Sequence, residues 1–192
     1  MATAPGKKVE DCCEEDDGSI VVDEENRKLY LFGVLNEIKA ANFLMYFQRL
    51  DVTDGDIKVI LNSPGGSTHA GYTIYDVIML SRNKVIVEVY GKCYSMAVAV
   101  LQAGDERLMS PYSELMVHGV YTDELGELTM KDAGTLRKEL RAENDKYQEL
   151  VAKRAGMPVA KLRKLCSKDT FMAAEKAVEQ GFADRILVRT KE

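Results

Sequence analysis

Apolar residues along the first 120 positions follow two alternating rhythms. The stretches "RKLYLFG" (27–33), "DIKVILNS" (56–63), "KVIVEVYG" (84–91) and "SELMVHG" (113–119) are short, rich in β-branched and aromatic residues, and end at turn formers. That composition predicts strands. Between them, "NEIKAANFLMYFQRL" (36–50), "STHAGYTIYDVIMLS" (67–81) and "SMAVAVLQAG" (95–104) read as helices, the last stopped by Gly104. Strand and helix in close alternation predict an α/β layer of mostly parallel strands joined by right-handed crossovers.

The rhythm then changes. From 129 to 155 there is no strand pattern; Ala133, Leu136, Leu140, Tyr147, Leu150 and Val151 recur at three- and four-residue steps through a charged background. Thr129 and Asp132 approximate a capping box, so this reads as one long amphipathic helix. At the usual rise it reaches about 40 Å, further than a compact domain of this size needs, and is expected to project or to pack on a neighbouring subunit. Gly156 stops it and Pro158 opens the next turn. The segment "FMAAEKAVEQGFADRILV" (171–188) reads as a helix, a glycine stop and a strand.

Length and composition narrow the functional classes. A chain of 192 residues with 46% hydrophobic and 30% charged positions suits one soluble domain with a proper core. Residues 1–18 are polar and acidic and read as a flexible N-terminal segment, leaving 19–192 as a single domain. The acidic run Glu14 to Asp17 lacks the ligand spacing of a calcium loop. A net charge of −5 without a Lys/Arg cluster argues against nucleic acid. No apolar run is long enough to span a bilayer and the N-terminus carries no apolar signal stretch, so a cytoplasmic setting without membrane contact is expected. Cys12, Cys13, Cys93 and Cys166 show no paired spacing and read as reduced thiols. The two histidines, His69 and His118, lie apart from other metal-ligating residues, which disfavours a zinc site. His69 is given no role, and the methionines, among them Met79, Met96, Met109 and Met116, read as core fillers.

The chemistry gathers at four places. "SPGGST" sets two glycines where a strand meets a helix, an arrangement that can aim bare amide protons at an anion: a phosphate, a cofactor or a transient oxyanion. Ser95 stands between strand "KVIVEVYG" and helix "SMAVAVLQAG". It can serve as a helix cap, or as a hydroxyl held at a helix N-terminus with the Met96 N–H beside it. His118 ends the strand "SELMV", and imidazole is the side-chain group best suited to take a serine proton at neutral pH. Asp169, before an aromatic residue and a helix, can cap that helix or hold an imidazole in one tautomer.

Taken together, "LNSPGGST.AG..IYD", "YSMA", "LMVHG" and "DTFMAAEKAVEQGFAD" resemble the ClpP family of self-compartmentalising serine peptidases, over about Arg27 to Ile186. The resemblance implies a ClpP/crotonase-like spiral of ββα units with a long protruding handle helix. It implies Ser95 as nucleophile, His118 as general base and Asp169 as orienting acid, with Gly66 and Met96 supplying the oxyanion-hole N–H groups. It further implies polypeptide substrates and a homo-oligomer, a heptameric ring that can stack into a tetradecamer. An AAA+ unfoldase is the implied partner, with no cofactor of the chain's own and ATP entering only through that partner.

Three other readings share these residues. A phage-type head-maturation protease would use the same catalytic layout without an ATPase, and a non-catalytic ring subunit would keep the fold alone. A crotonase-type acyl-CoA enzyme would also aim paired amides at an oxyanion, but needs acidic residues rather than a serine nucleophile.

Overall fold

The computed structural model describes residues 20–121 and 130–188, together with the backbone but not the side chains of Met130 and Lys131. The acidic N-terminal segment with Cys12 and Cys13, and Thr129 of the expected capping box, lie outside the described residues. The first half of the chain alternates β1 (Val21–Asp23), β2 (Lys28–Phe32), α1 (Glu37–Asp51), β3 (Ile57–Ser63), α2 (Thr68–Met79), β4 (Val85–Tyr94) and α3 (Met96–Ala103). Then follow β5 (Glu106–Met109), β6 (Glu114–Val117), α4 (Met130–Arg154), α5 (Val159–Leu165), β7 (Thr170–Ala173), α6 (Ala174–Glu179) and β8 (Arg185–Ile186). The result is a mixed α/β fold, and among the described residues no helix is long and apolar enough to cross a membrane.

The strands form one sheet in the order β1-β2-β3-β4-β5-β8, with β6 on β4 and β7 on β6. All pairings are parallel except β1 with β2 and β6 with β7. Strand β3 and the first half of β4 are mostly buried, as parallel strands covered on both faces should be. The core joins them to Phe43 and Phe47 of α1, Ile74 of α2 and the wholly buried α3.

β4 outlasts its apolar run. The sequence reading ends it at Gly91, whereas the strand continues through Tyr94 because it changes partner midway: Ile86–Val89 pair with β5, and Lys92–Tyr94 pair with β6. Gly91, at φ 81°, makes the bend, and the Asn62 side chain fills it, its Oδ1 accepting the Lys92 N–H at 3.0 Å. From this bend on, β4 carries β6, and β6 carries β7, off the path of the main sheet.

The ends of α3 and α4 are tied to each other. Arg154 donates from Nε to the Gln102 carbonyl (2.6 Å) and from Nη2 to the Gly104 carbonyl (2.7 Å), satisfying the last carbonyls of α3. Arg107, buried in β5, binds the Arg154 and Gly181 carbonyls, the Gln102 side chain and Asp184. Burial raises the Asp184 carboxyl, but the hydrogen bonds and positive charge of Arg107, with Arg154 adding to them, outweigh it and hold the group below the usual carboxylate range.

Four expectations are corrected. Residues 171–173 belong to β7 rather than to a helix, because pairing with β6 overrides the helix-favouring "MAAE" composition. Ala133 of α4 is exposed, as are most residues from 132 to 139; the packed stripe begins in earnest at Tyr147. Met79 is also exposed, at the end of α2, and Met116 is half-exposed on β6, so neither fills a core gap. Asp169 caps no helix: it precedes β7, and α6 has Ala173 at its N-cap.

Candidate active site

Ser95 lies between the last residue of β4 and the first of α3, with φ 53° and ψ −124°. For a residue with a Cβ such a conformation costs about 1–3 kcal/mol and persists only where the surroundings dictate it. Here they do. The Ser95 N–H donates to the Met116 carbonyl of β6 (2.8 Å), while its own carbonyl accepts from the Val98 N–H (3.0 Å) and from the Tyr147 hydroxyl (3.2 Å). Its Oγ makes no capping bond to α3, so the helix-cap reading fails. Instead Oγ stands 2.7 Å from Nε2 of His118.

Strand register explains that meeting. β6 lies parallel to β4 with Tyr94 opposite Met116, so the next residues, Ser95 and Val117, stay adjacent, and His118 follows directly. β6 and β7 run antiparallel with Val117 opposite Thr170; one further step along the same register puts His118 opposite Asp169. Alternation along β6, with Leu115 and Val117 buried and Glu114 and Met116 half-exposed, turns His118 to the Met116 face, which is the cleft face. Phe171 across from Met116 meets the Tyr94 ring edge-on (centroids 5.6 Å apart) and secures the start of β7.

The second contact is looser than the first. Nδ1 of His118 stands 3.9 Å from Oδ1 of Asp169, beyond hydrogen-bond length. The His118 side chain is 12% exposed and that of Asp169 66%. The structure therefore brings the serine and the imidazole into contact and leaves the carboxylate about 1 Å short of it.

The two-glycine turn closes the other side. Gly65 packs so tightly on the serine that an added Cβ would fall 2.8 Å from Ser95 Cβ and 2.9 Å from the Met96 nitrogen. Gly66 is bridged to Leu35, whose N–H donates to the Gly65 carbonyl (2.8 Å) and whose carbonyl accepts the Ser67 N–H (2.8 Å). Met96 sends its side chain inward over Gly71, where a Cβ would lie 2.2 Å from Met96 Cγ. Met96 also lines the cleft, and as the first residue of α3 its N–H has no acceptor within the helix.

Together these residues line an open cleft of about 590 Å³ whose wall also includes Val34, Met116, Val120 and Tyr121. Cys93 and Cys166 are free and buried nearby. Burial pushes the Cys93 thiol far above its ordinary value and the Cys166 thiol to about 11, so neither is an activated nucleophile. His69 is exposed on the first turn of α2 and takes no part in the cleft lining. Among the described residues no group of three His, Cys, Asp or Glu side chains is gathered as a metal ion would require.

Two residues of α4 escape a sequence reading. Tyr147 appears only as part of an apolar stripe, and Asn144 not at all; Asn144 accepts the Val120 N–H on Oδ1 (2.8 Å) and donates from Nδ2 to the Val120 carbonyl (3.2 Å). A usable signal was present: an asparagine, a poor helix former, inside a long helix and three residues ahead of a tyrosine on the same face. Compared with known protein families, residues 23–190 match the family model described as Clp protease.

Proposed function

The chain belongs to the Clp protease family, a family of peptidases, and on that premise we propose that it is a serine endopeptidase working through Ser95 and His118. The 2.7 Å approach of Oγ to Nε2 carries the reading. In the tautomer protonated at Nδ1, His118 accepts the Ser95 proton on Nε2 as Oγ attacks the scissile carbonyl. Charge passes to the carbonyl oxygen, which the N–H groups of Gly66 and Met96 receive. His118 then delivers the proton to the leaving amine, and water attacks the Ser95 ester by the same route in reverse. Asp169 orients the imidazole once a shift of about 1 Å closes its contact.

The occupants of the cleft are polypeptides, with an apolar side chain seated against Val34, Met116 and Val120. Assembly into a ring is part of the proposal. The mostly exposed stretch 132–142 of α4, a helix of 25 residues, supplies surface for a neighbouring subunit. A stacked double ring and an AAA+ unfoldase that feeds it complete the proposed assembly.

Hydrolysis of a short fluorogenic peptide with an apolar residue before the cut bond tests the activity without any ATPase. The purified chain is expected to turn it over, and Asp169→Asn to slow it by about 10²-fold. That is a smaller loss than removal of the nucleophile gives, because the carboxylate is exposed and not yet in contact. An assembled, folded preparation with no hydrolysis of any such peptide would contradict the proposal.

A further inference from the structure

We propose that the hydroxyl of Tyr147 is a positioning group for the oxyanion: by holding the Ser95 carbonyl it sets the plane of the Ser95–Met96 peptide and thereby aims the Met96 N–H into the cleft. The inference rests on Ser95 being the nucleophile. The Ser95 carbonyl and the Met96 N–H belong to one rigid planar unit and point from opposite edges of it, so a restraint on one is a restraint on the other.

Two donors reach that carbonyl. The Val98 N–H, at 3.0 Å, ties it to the first turn of α3, and the Tyr147 hydroxyl, at 3.2 Å, ties it to α4. With φ at 53° and ψ at −124°, Ser95 sits outside the helical conformation that would orient the peptide by itself. A bond to the carbonyl also polarises the peptide and strengthens its N–H as a donor.

Tyr147 is built to hold still. Its side chain is 2% exposed. Burial first, then the nearby Cys166, Cys93 and Tyr72 groups, holds the phenol well above its ordinary range, so it stays a protonated donor. Two turns later Arg154 locks α4 to the end of α3, and one turn earlier Asn144 grips the backbone of Val120, two residues past His118. One face of α4 therefore fixes both the nucleophile's peptide and the chain beyond the imidazole.

Tyr147→Phe in the full chain keeps the ring and removes only the donor. With the fluorogenic peptide, kcat is expected to fall about five- to tenfold with KM within twofold. Affinity for a peptide boronate, whose tetrahedral adduct places an oxygen on the oxyanion donors, should fall by a similar factor, while that for the product peptide of the same sequence holds. A tyrosine with a packing role alone would lower the melting temperature and leave kcat and boronate affinity within threefold of wild type; that result overturns the proposal. Tyr147→Met serves the same comparison if the phenylalanine variant does not assemble. Ser95→Ala in the same assay separates the two levels: wild-type rates there would remove the nucleophile itself, whatever Tyr147 does.

Discussion

Ser95→Ala is expected to lower peptide hydrolysis by about 10⁴-fold or more, and His118→Ala to bring it to a similar residual rate. The two side chains depend on each other. A serine hydroxyl is a weak nucleophile at its free pKa, so Oγ attacks only with a base in contact, and Nε2 of His118 is the base in contact at 2.7 Å. Remove the hydroxyl and the imidazole has no proton to take; remove the imidazole and the hydroxyl keeps its proton. Neither change should unfold the chain. Ser95→Ala deletes one oxygen, and the backbone bonds to Met116, Val98 and Tyr147 that hold the residue remain. The check is kcat/KM for each variant beside its thermal melt; a Ser95→Ala protein within tenfold of wild type would dismiss the assignment.

Gly66→Ala is the second large effect, and it acts on fold and chemistry together. Gly66 has φ 144°, and a Cβ there would fall 2.3 Å from the Leu35 carbonyl oxygen and 2.8 Å from the Leu35 nitrogen. Those are backbone atoms engaged in the bonds that hold the turn, so the clash cannot be relieved by rotating a side chain. Opening the Leu35 bridge to make room costs the backbone strain and one or two hydrogen bonds, about 3–5 kcal/mol in all. The Gly66 N–H would move with the turn, and in the proposed mechanism that is loss of one oxyanion donor, worth about 10²–10³ in kcat. Urea unfolding and peptide hydrolysis should therefore both report the change. An alanine variant with an unchanged urea midpoint and unchanged kcat would mean that the turn is less rigid than its bonds to Leu35 imply and that Gly66 is no oxyanion donor.

How far the sequence reaches can be judged from particular residues. Strands β2, β3, β4 and β6 and helices α1 to α3 are legible because each has a long enough apolar rhythm to outvote its neighbours. β5 is not: its four residues include Glu106, paired with Lys84 and Arg185, and Arg107, buried for its hydrogen bonds rather than for apolarity. β1, at three residues, and α5, at seven, are too short for a period to show. β7 is hidden by helix-favouring composition and exists because β6 lies beside it.

The site divides in the same way. Each of Ser95, His118 and Asp169 is identified as a candidate by residue type and local position. Their meeting depends on two registers, Tyr94 opposite Met116 and Val117 opposite Thr170, that no local pattern encodes. Ser95 shows the limit most clearly, since a serine before a small-residue helix reads as a cap, and only tertiary bonds from β6 and α4 turn its hydroxyl away from α3.

The central claim is that Oγ of Ser95 is made nucleophilic by the imidazole beside it. The most direct measurement is treatment of the folded chain with a fluorophosphonate, followed by peptide mapping of the adduct. The account predicts one phosphonylated residue, Ser95, with labelling lost in His118→Ala. Adduct on another residue, or labelling of Ser95 at an undiminished rate without the imidazole, would contradict it.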